Sequence, residues 1–145
     1  MDLLVALQSS EAAQALRGST WLYPGVAFAH ALGACLAVGA IVLVDLRLLG
    51  MGKGVSLNAL VAFAVPIALA GAALAVLAGL SMFATGAAHF ARNPAFLFKM
   101  VMLAFAVWNA LAFHRFGADR APIHALASLV AWNAVVAGGI LTAYF

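Results

Sequence analysis

From Leu57 to Ala88 the chain reads LNALVAFAVPIALAGAALAVLAGLSMFATGAA, without one charged side chain. A hydrocarbon core about 30 Å thick is crossed by roughly 20 apolar residues in a helix, so this run crosses a bilayer with length to spare. Pro66 inside it removes one backbone donor, which predicts a kink and accounts for the extra length. Three further windows meet or approach the same requirement. Trp21 to Val44 holds no charge beyond what His30 can carry, Phe96 to Phe113 holds only Lys99, and Ala121 to Phe145 holds only His124. The connections Asp45 to Ser56, His89 to Ala95 and His114 to Arg120 are too short to be domains. The sequence therefore predicts an all-α, integral membrane, up-down-up-down four-helix bundle. Residues 1–145 form a single transmembrane domain, with spans at about 21–48, 57–88, 94–114 and 121–144.

Composition excludes the soluble alternatives. Of 145 residues, 68% are hydrophobic and 8% charged, against about 25% charged in soluble domains. So few polar groups cannot cover a folded surface in water. Cys35 is the only cysteine, which excludes a disulfide framework, and no CxxC pair, phosphate loop or nucleophile triad occurs. The net charge of +3 comes from bases scattered at the ends of apolar runs, where they anchor a membrane protein; a nucleic-acid partner is not expected. Arg47, Lys53, Arg115 and Arg120 fall on the face holding the first and third connections, and Arg17, Arg92 and Lys99 on the other. This balance points to a cytoplasmic first face with both termini outside. At the start, Asp2 stands where a signal peptide carries positive charge, and Gln8-Ser9-Ser10-Glu11 splits the apolar stretch, so a retained interfacial helix is expected.

Local signals mark the helix ends and contact faces. Asn93-Pro94 reads as an N-cap followed by proline at the first helical position, Ser56 as a second cap, Tyr23-Pro24 as the opening of the first span, and Gly50 to Gly54 as a break. Small residues four apart let helix backbones approach in lipid, which marks Ala29-Gly33-Ala37, Gly71-Ala75-Gly79 and Ala106-Ala110 as seams. Trp108-Asn109-Ala110 and Trp132-Asn133-Ala134 each place an asparagine in a span, to be read as interhelical polar glue, with a substrate or quinone contact as the alternative. Asp45-Leu46-Arg47 closes the first span, where an ion pair or a headgroup contact is expected. Lys99 is expected to reach outward to headgroups; turned inward, it would hold an anionic group such as a haem propionate.

The four histidines carry the main chemical signal. At about 100° per residue, His30 shares a face with Gly33, Ala34, Ala37 and Ile41, and His89 with Thr85, Met82 and Ala78. His114 continues the Ala106-Ala110 row, and His124 lies over Ser128, Ala131, Val135 and Gly138. All four are thus expected along small-residue stripes, with His30 and His89 in one leaflet and His114 and His124 in the other. Paired imidazoles on facing helices are what haem b needs, so His30, His89, His114 and His124 are candidate haem ligands, His30 the strongest because it lies deepest. His30 and His89 are offset along the bundle by roughly 9 Å at 1.5 Å per residue. An interfacial hydrogen-bonding role is the alternative for His89, His114 and His124.

Taken together, Tyr23-Pro24, His30, Asp45-Leu46-Arg47-Leu48-Leu49-Gly50, Thr85-Gly86, Asn93-Pro94-Ala95-Phe96, Lys99 and Phe113-His114 resemble a family of small bacterial four-helix membrane proteins known only as a domain of unknown function. The resemblance spans most of the chain and implies almost nothing about activity. Gly139 stands where that family often has an arginine, and His89 where it more often has an aromatic residue. More distantly, the layout is similar to copper-resistance D type domains and to bis-histidine cytochrome b bundles, which implies redox or metal work.

Three functional readings follow. The leading one is an accessory or structural membrane subunit without catalysis, joined to a larger membrane complex or to copies of itself. A haem b electron carrier is the second and a small transporter or metal-binding membrane protein the third. In each the lipid bilayer is the first partner, and a bacterial inner (plasma) membrane the expected location.

Overall fold

The computed structural model describes residues 2–116 and 121–145. Its helices are α1 (Asp2–Gln8), α2 (Glu11–Gly18), α3 (Leu22–Leu48), α4 (Leu57–Thr85), α5 (Ala87–Phe90), α6 (Pro94–Phe116) and α7 (Ala121–Leu141). Four of them, α3, α4, α6 and α7, are long and apolar enough to cross a membrane. They alternate in direction and pack on one another, so the chain is an all-α, multi-pass membrane protein built as a four-helix bundle. One end of the bundle, the loop end, holds the α3–α4 connection, the end of α6 and the start of α7. The opposite end holds the start of α3 and the end of α7. The α6–α7 connection, with Arg120, lies outside the described residues.

The interior is made of small side chains. Ala37, Ala64, Ala106, Ala125 and Ala131 are each at most 3% exposed, whereas Phe63 is 71% exposed, Leu77 66% and Val130 64%. Leucine gains little by leaving lipid for protein, so it points outward while backbones close on each other through alanine and glycine. The expected seam between α3 and α4 forms: a Cβ on Gly33 would lie 2.6 Å from both Ala75 N and Gly71 O, and one on Gly71 would lie 2.7 Å from Ala37 N. α7 packs against α6 and α3. α4 meets α6 through the Phe83 and Phe96 rings, stacked with centroids 5.5 Å apart.

The caps fall where the sequence places them. Asn93 Oδ1 accepts from the Phe96 amide at 3.0 Å, and Ser56 from the Ala59 amide at 3.4 Å. Asn93 also ties the two ends of the second hairpin together, since its Nδ2 donates to the Thr142 carbonyl at 3.1 Å. α4 continues through Pro66. It stops at Thr85 rather than Ala88, because Gly86 leaves helical geometry and α5 begins anew. The N-terminal segment forms two helices instead of one: Ser10 accepts from the Ala13 amide and caps α2. They dock on the bundle, where Arg17 donates to the Thr85 carbonyl at 3.2 Å and the Ala88 amide donates to Gln8 Oε1 at 3.3 Å.

Candidate functional site

Asp45 continues the row Ala29-Gly33-Ala37-Ile41 at the same four-residue spacing, so the seam that closes α3 on α4 also turns this carboxylate inward. It is 5% exposed. Ser128 of α7 lines the cavity beside it, and Asp45 Oδ2 has no partner among the described residues. The expected Asp45–Arg47 ion pair does not form: Asp45 is buried, and Arg47 donates Nε to the Val55 carbonyl at 2.8 Å. The second turn of α7 supplies Ser128 for a steric reason: a small side chain there lets α7 lie close to α3.

Beside Asp45 lies a cavity of about 140 Å³ enclosed by α3, α4, α6 and α7 and half open to the outside. Asp45, Asn109, His114, His124, Ser128 and Trp132 supply its polar and aromatic lining, and alanine, valine and other apolar side chains the rest. Asn109, 4% exposed, bridges α6 and α7. Its Nδ2 donates to the His124 carbonyl at 2.9 Å, and its Oδ1 stands 2.9 Å from His124 Nδ1. An amide oxygen can only accept, so Nδ1 carries the proton. The Phe113 ring meets that imidazole edge to face at 5.9 Å. The polar-glue expectation thus holds for Asn109 alone; Asn133 is exposed and bonds the Leu129 carbonyl of its own helix.

The structure brings His114 and His124 to this one cavity, with His114 exposed and His124 half-buried. The other two candidates stay apart. His30 inserts between α3 and α4, donating Nδ1–H to the Ala75 carbonyl at 2.7 Å. Gly79 makes room for the ring, since a Cβ there would lie 3.0 Å from His30 Cε1. His89 sits on α5, exposed, with its ring against Phe90 at 5.5 Å. The expectation that all four histidines face the interior holds for His30 and His124, because the small-residue rows of α4 and α6 stop short of His89 and His114. Among the described residues no three His, Cys, Asp or Glu side chains gather as a metal site.

Lys99 turns to α7 rather than outward. Its Cβ would lie 3.0 Å from a Cβ on Gly138, and its Nζ 3.6 Å from one on Gly139. The paired glycines leave a channel along which the aliphatic stem lies, and the ammonium reaches the last turn of α7, where the helix dipole favours positive charge.

Comparison with family models, with curated proteins and with solved structures found no match to this chain. The geometry therefore carries the functional argument. Asp45 is the residue that reading the sequence missed as part of a site. Its place at the end of the four-residue row puts it on the seam face, but the row does not by itself show that α7 closes over it.

Proposed function

We propose that the protein binds a small polar solute within the membrane, as a carrier or as the permeation subunit of a larger assembly, and that the Asp45 cavity is its working site. One observation carries this reading: a carboxylate 5% exposed inside a span, with one oxygen unpartnered among the described residues and a cavity beside it. Ionisable groups in that position are costly and mark ligand or ion paths. A purely structural subunit, the leading expectation from sequence, has no use for such a group, since an apolar side chain of similar volume packs as well or better. The distribution of Lys and Arg favours the loop end as the cytoplasmic one; a bacterial inner (plasma) membrane remains the proposed location.

The test exploits the conflict between stability and function. Asp45→Asn keeps the shape and removes the charge, so the thermal midpoint in detergent without ligand should stay equal or rise. A fall would show that the carboxylate holds the fold together, and the solute-site reading would be lost.

A second reading, haem b at His30, draws support from the Nδ1–H bond to the Ala75 carbonyl. Ligating histidines donate one ring nitrogen in this way and present the other to the metal. A reduced-minus-oxidised optical spectrum of protein expressed with ample haem decides it: low-spin bands lost in His30→Ala support it, and a colourless protein removes it.

A further inference from the structure

We infer that the Asp45 cavity selects a small organic monocation that carries N–H donors, of the primary alkylammonium class. This rests on the reading of the cavity as a solute site, and it follows from counting what the lining still offers. Asn109 commits its Nδ2 to the His124 carbonyl and its Oδ1 to His124 Nδ1–H. In the Nδ1–H tautomer that this bond selects, Nε2 is an acceptor, and it has no hydrogen bond among the described residues. The Ser128 hydroxyl, which lines the cavity beside Asp45, keeps acceptor lone pairs whichever way its O–H turns. Asp45 Oδ2 receives nothing among the described residues and is itself buried, so a guest meets it when the side chain turns toward the cavity. These three groups accept hydrogen bonds, one of them charged, while the Trp132 indole N–H and the exposed His114 imidazole complete the polar lining. No lysine or arginine lines the cavity among the described residues.

The guest that answers this surplus is positive and donates hydrogen bonds. A single carboxylate suits a monovalent charge; calcium takes six or more oxygen ligands, several of them carboxylates, and no group of three acidic, His or Cys side chains is present among the described residues. Volume sets the size. A cavity of about 140 Å³ is close to the roughly 150 Å³ that accommodates benzene in another protein, hence a guest of about six heavy atoms. The walls are mostly apolar, which suits a short alkyl chain, and Phe113 and Trp132 add aromatic rings to which a cation is attracted. An anion would meet the Asp45 charge, and a neutral hydrocarbon would leave three acceptors unsatisfied.

Thermal unfolding of the full chain in detergent provides the test, with n-butylammonium chloride as probe and tetramethylammonium chloride and sodium chloride at equal ionic strength as controls. Butylammonium at about ten times its Kd should raise the wild-type Tm by roughly 3–6 °C and saturate. Tetramethylammonium, which has no N–H, and sodium should not. Asp45→Asn should abolish the response, and Ser128→Ala, which retains the carboxylate, should shift the half-saturating concentration upward. A wild-type protein indifferent to butylammonium, a response unchanged in Asp45→Asn, or equal stabilisation by tetramethylammonium overturns the assignment. If the unliganded Asp45→Asn protein is as stable as wild type while butylammonium is without effect, the solute site stands and the alkylammonium class falls. If Asp45→Asn is destabilised, the solute-site reading falls as well.

Discussion

Gly33→Ala and Gly39→Ala place the same methyl group on the same helix, and the structure predicts opposite effects. Nothing lies within 4 Å of a Cβ on Gly39, so that substitution gains only helix propensity, worth about 0.5–1 kcal/mol in a helix interior. At Gly33 the new carbon would sit 2.6 Å from Ala75 N and Gly71 O and 3.1 Å from Ala75 Cα, all backbone atoms that cannot turn aside. Reaching ordinary contact at 3.4 Å from 2.6 Å requires the helices to part by about 0.8 Å at the crossing. Parting there also relaxes the reciprocal approach of Gly71 to Gly33 and Ala37, so contacts are lost along the seam. Overpacking of this kind costs about 1–3 kcal/mol, and the propensity gain offsets roughly 1 kcal/mol of it. Gly33→Ala should therefore lie about 2 kcal/mol below Gly39→Ala in stability. Unfolding in mixed micelles followed by circular dichroism measures the difference. Two variants of equal stability would refute close backbone approach as the basis of the α3–α4 contact.

Two comparisons probe the second hairpin. Asn109→Leu strips two partners from His124 and should cost about 1–2 kcal/mol, whereas Asn133→Leu, in the same Trp-Asn-Ala context, should be nearly neutral because its amide bonds only its own helix; unfolding of both variants in parallel checks this. Asn93→Ala loses the α6 cap and the tether to Thr142 and should cost about 1–3 kcal/mol. Asn93→Ser, which can still cap, should recover part of that loss in the same assay.

The span positions, the Asn93 and Ser56 caps and the α3–α4 seam are legible in the sequence because each rests on local chemistry: a run without charge, a cap before proline, small residues four apart. The site is harder to read. In a soluble helix the polar face identifies the interior by contrast, but in a bilayer the lipid-facing and buried faces of α3 and α7 are both apolar, so periodicity alone does not say which way Asp45 points. Its nearness to the end of α3 suggested a loop-facing pair with Arg47, and only the close passage of α7, which delivers Ser128, makes it interior. The two asparagines teach the same point. Asn109 lies beside the inward Ala106 and Asn133 falls off the Ser128-Ala131-Val135 stripe, a distinction the shared tripeptide conceals. Long cations ordinarily reach outward for headgroups, yet Gly138 and Gly139 on the neighbouring helix leave space for Lys99 to lie inward.

The claim that the Asp45 cavity receives solute is tested most directly by chemical access. With Cys35, the exposed native thiol, replaced by serine, single cysteines are introduced as Ser128→Cys in the cavity and Val130→Cys on the outer face of the same helix. Ser128 is 7% exposed and Val130 64% in the isolated protein, but in a bilayer the second position faces hydrocarbon. The small cationic reagent aminoethyl methanethiosulfonate, added to reconstituted vesicles, should modify S128C well before V130C, and n-butylammonium should slow the first reaction only. A cavity cysteine that reacts no faster than the lipid-facing one would contradict the account.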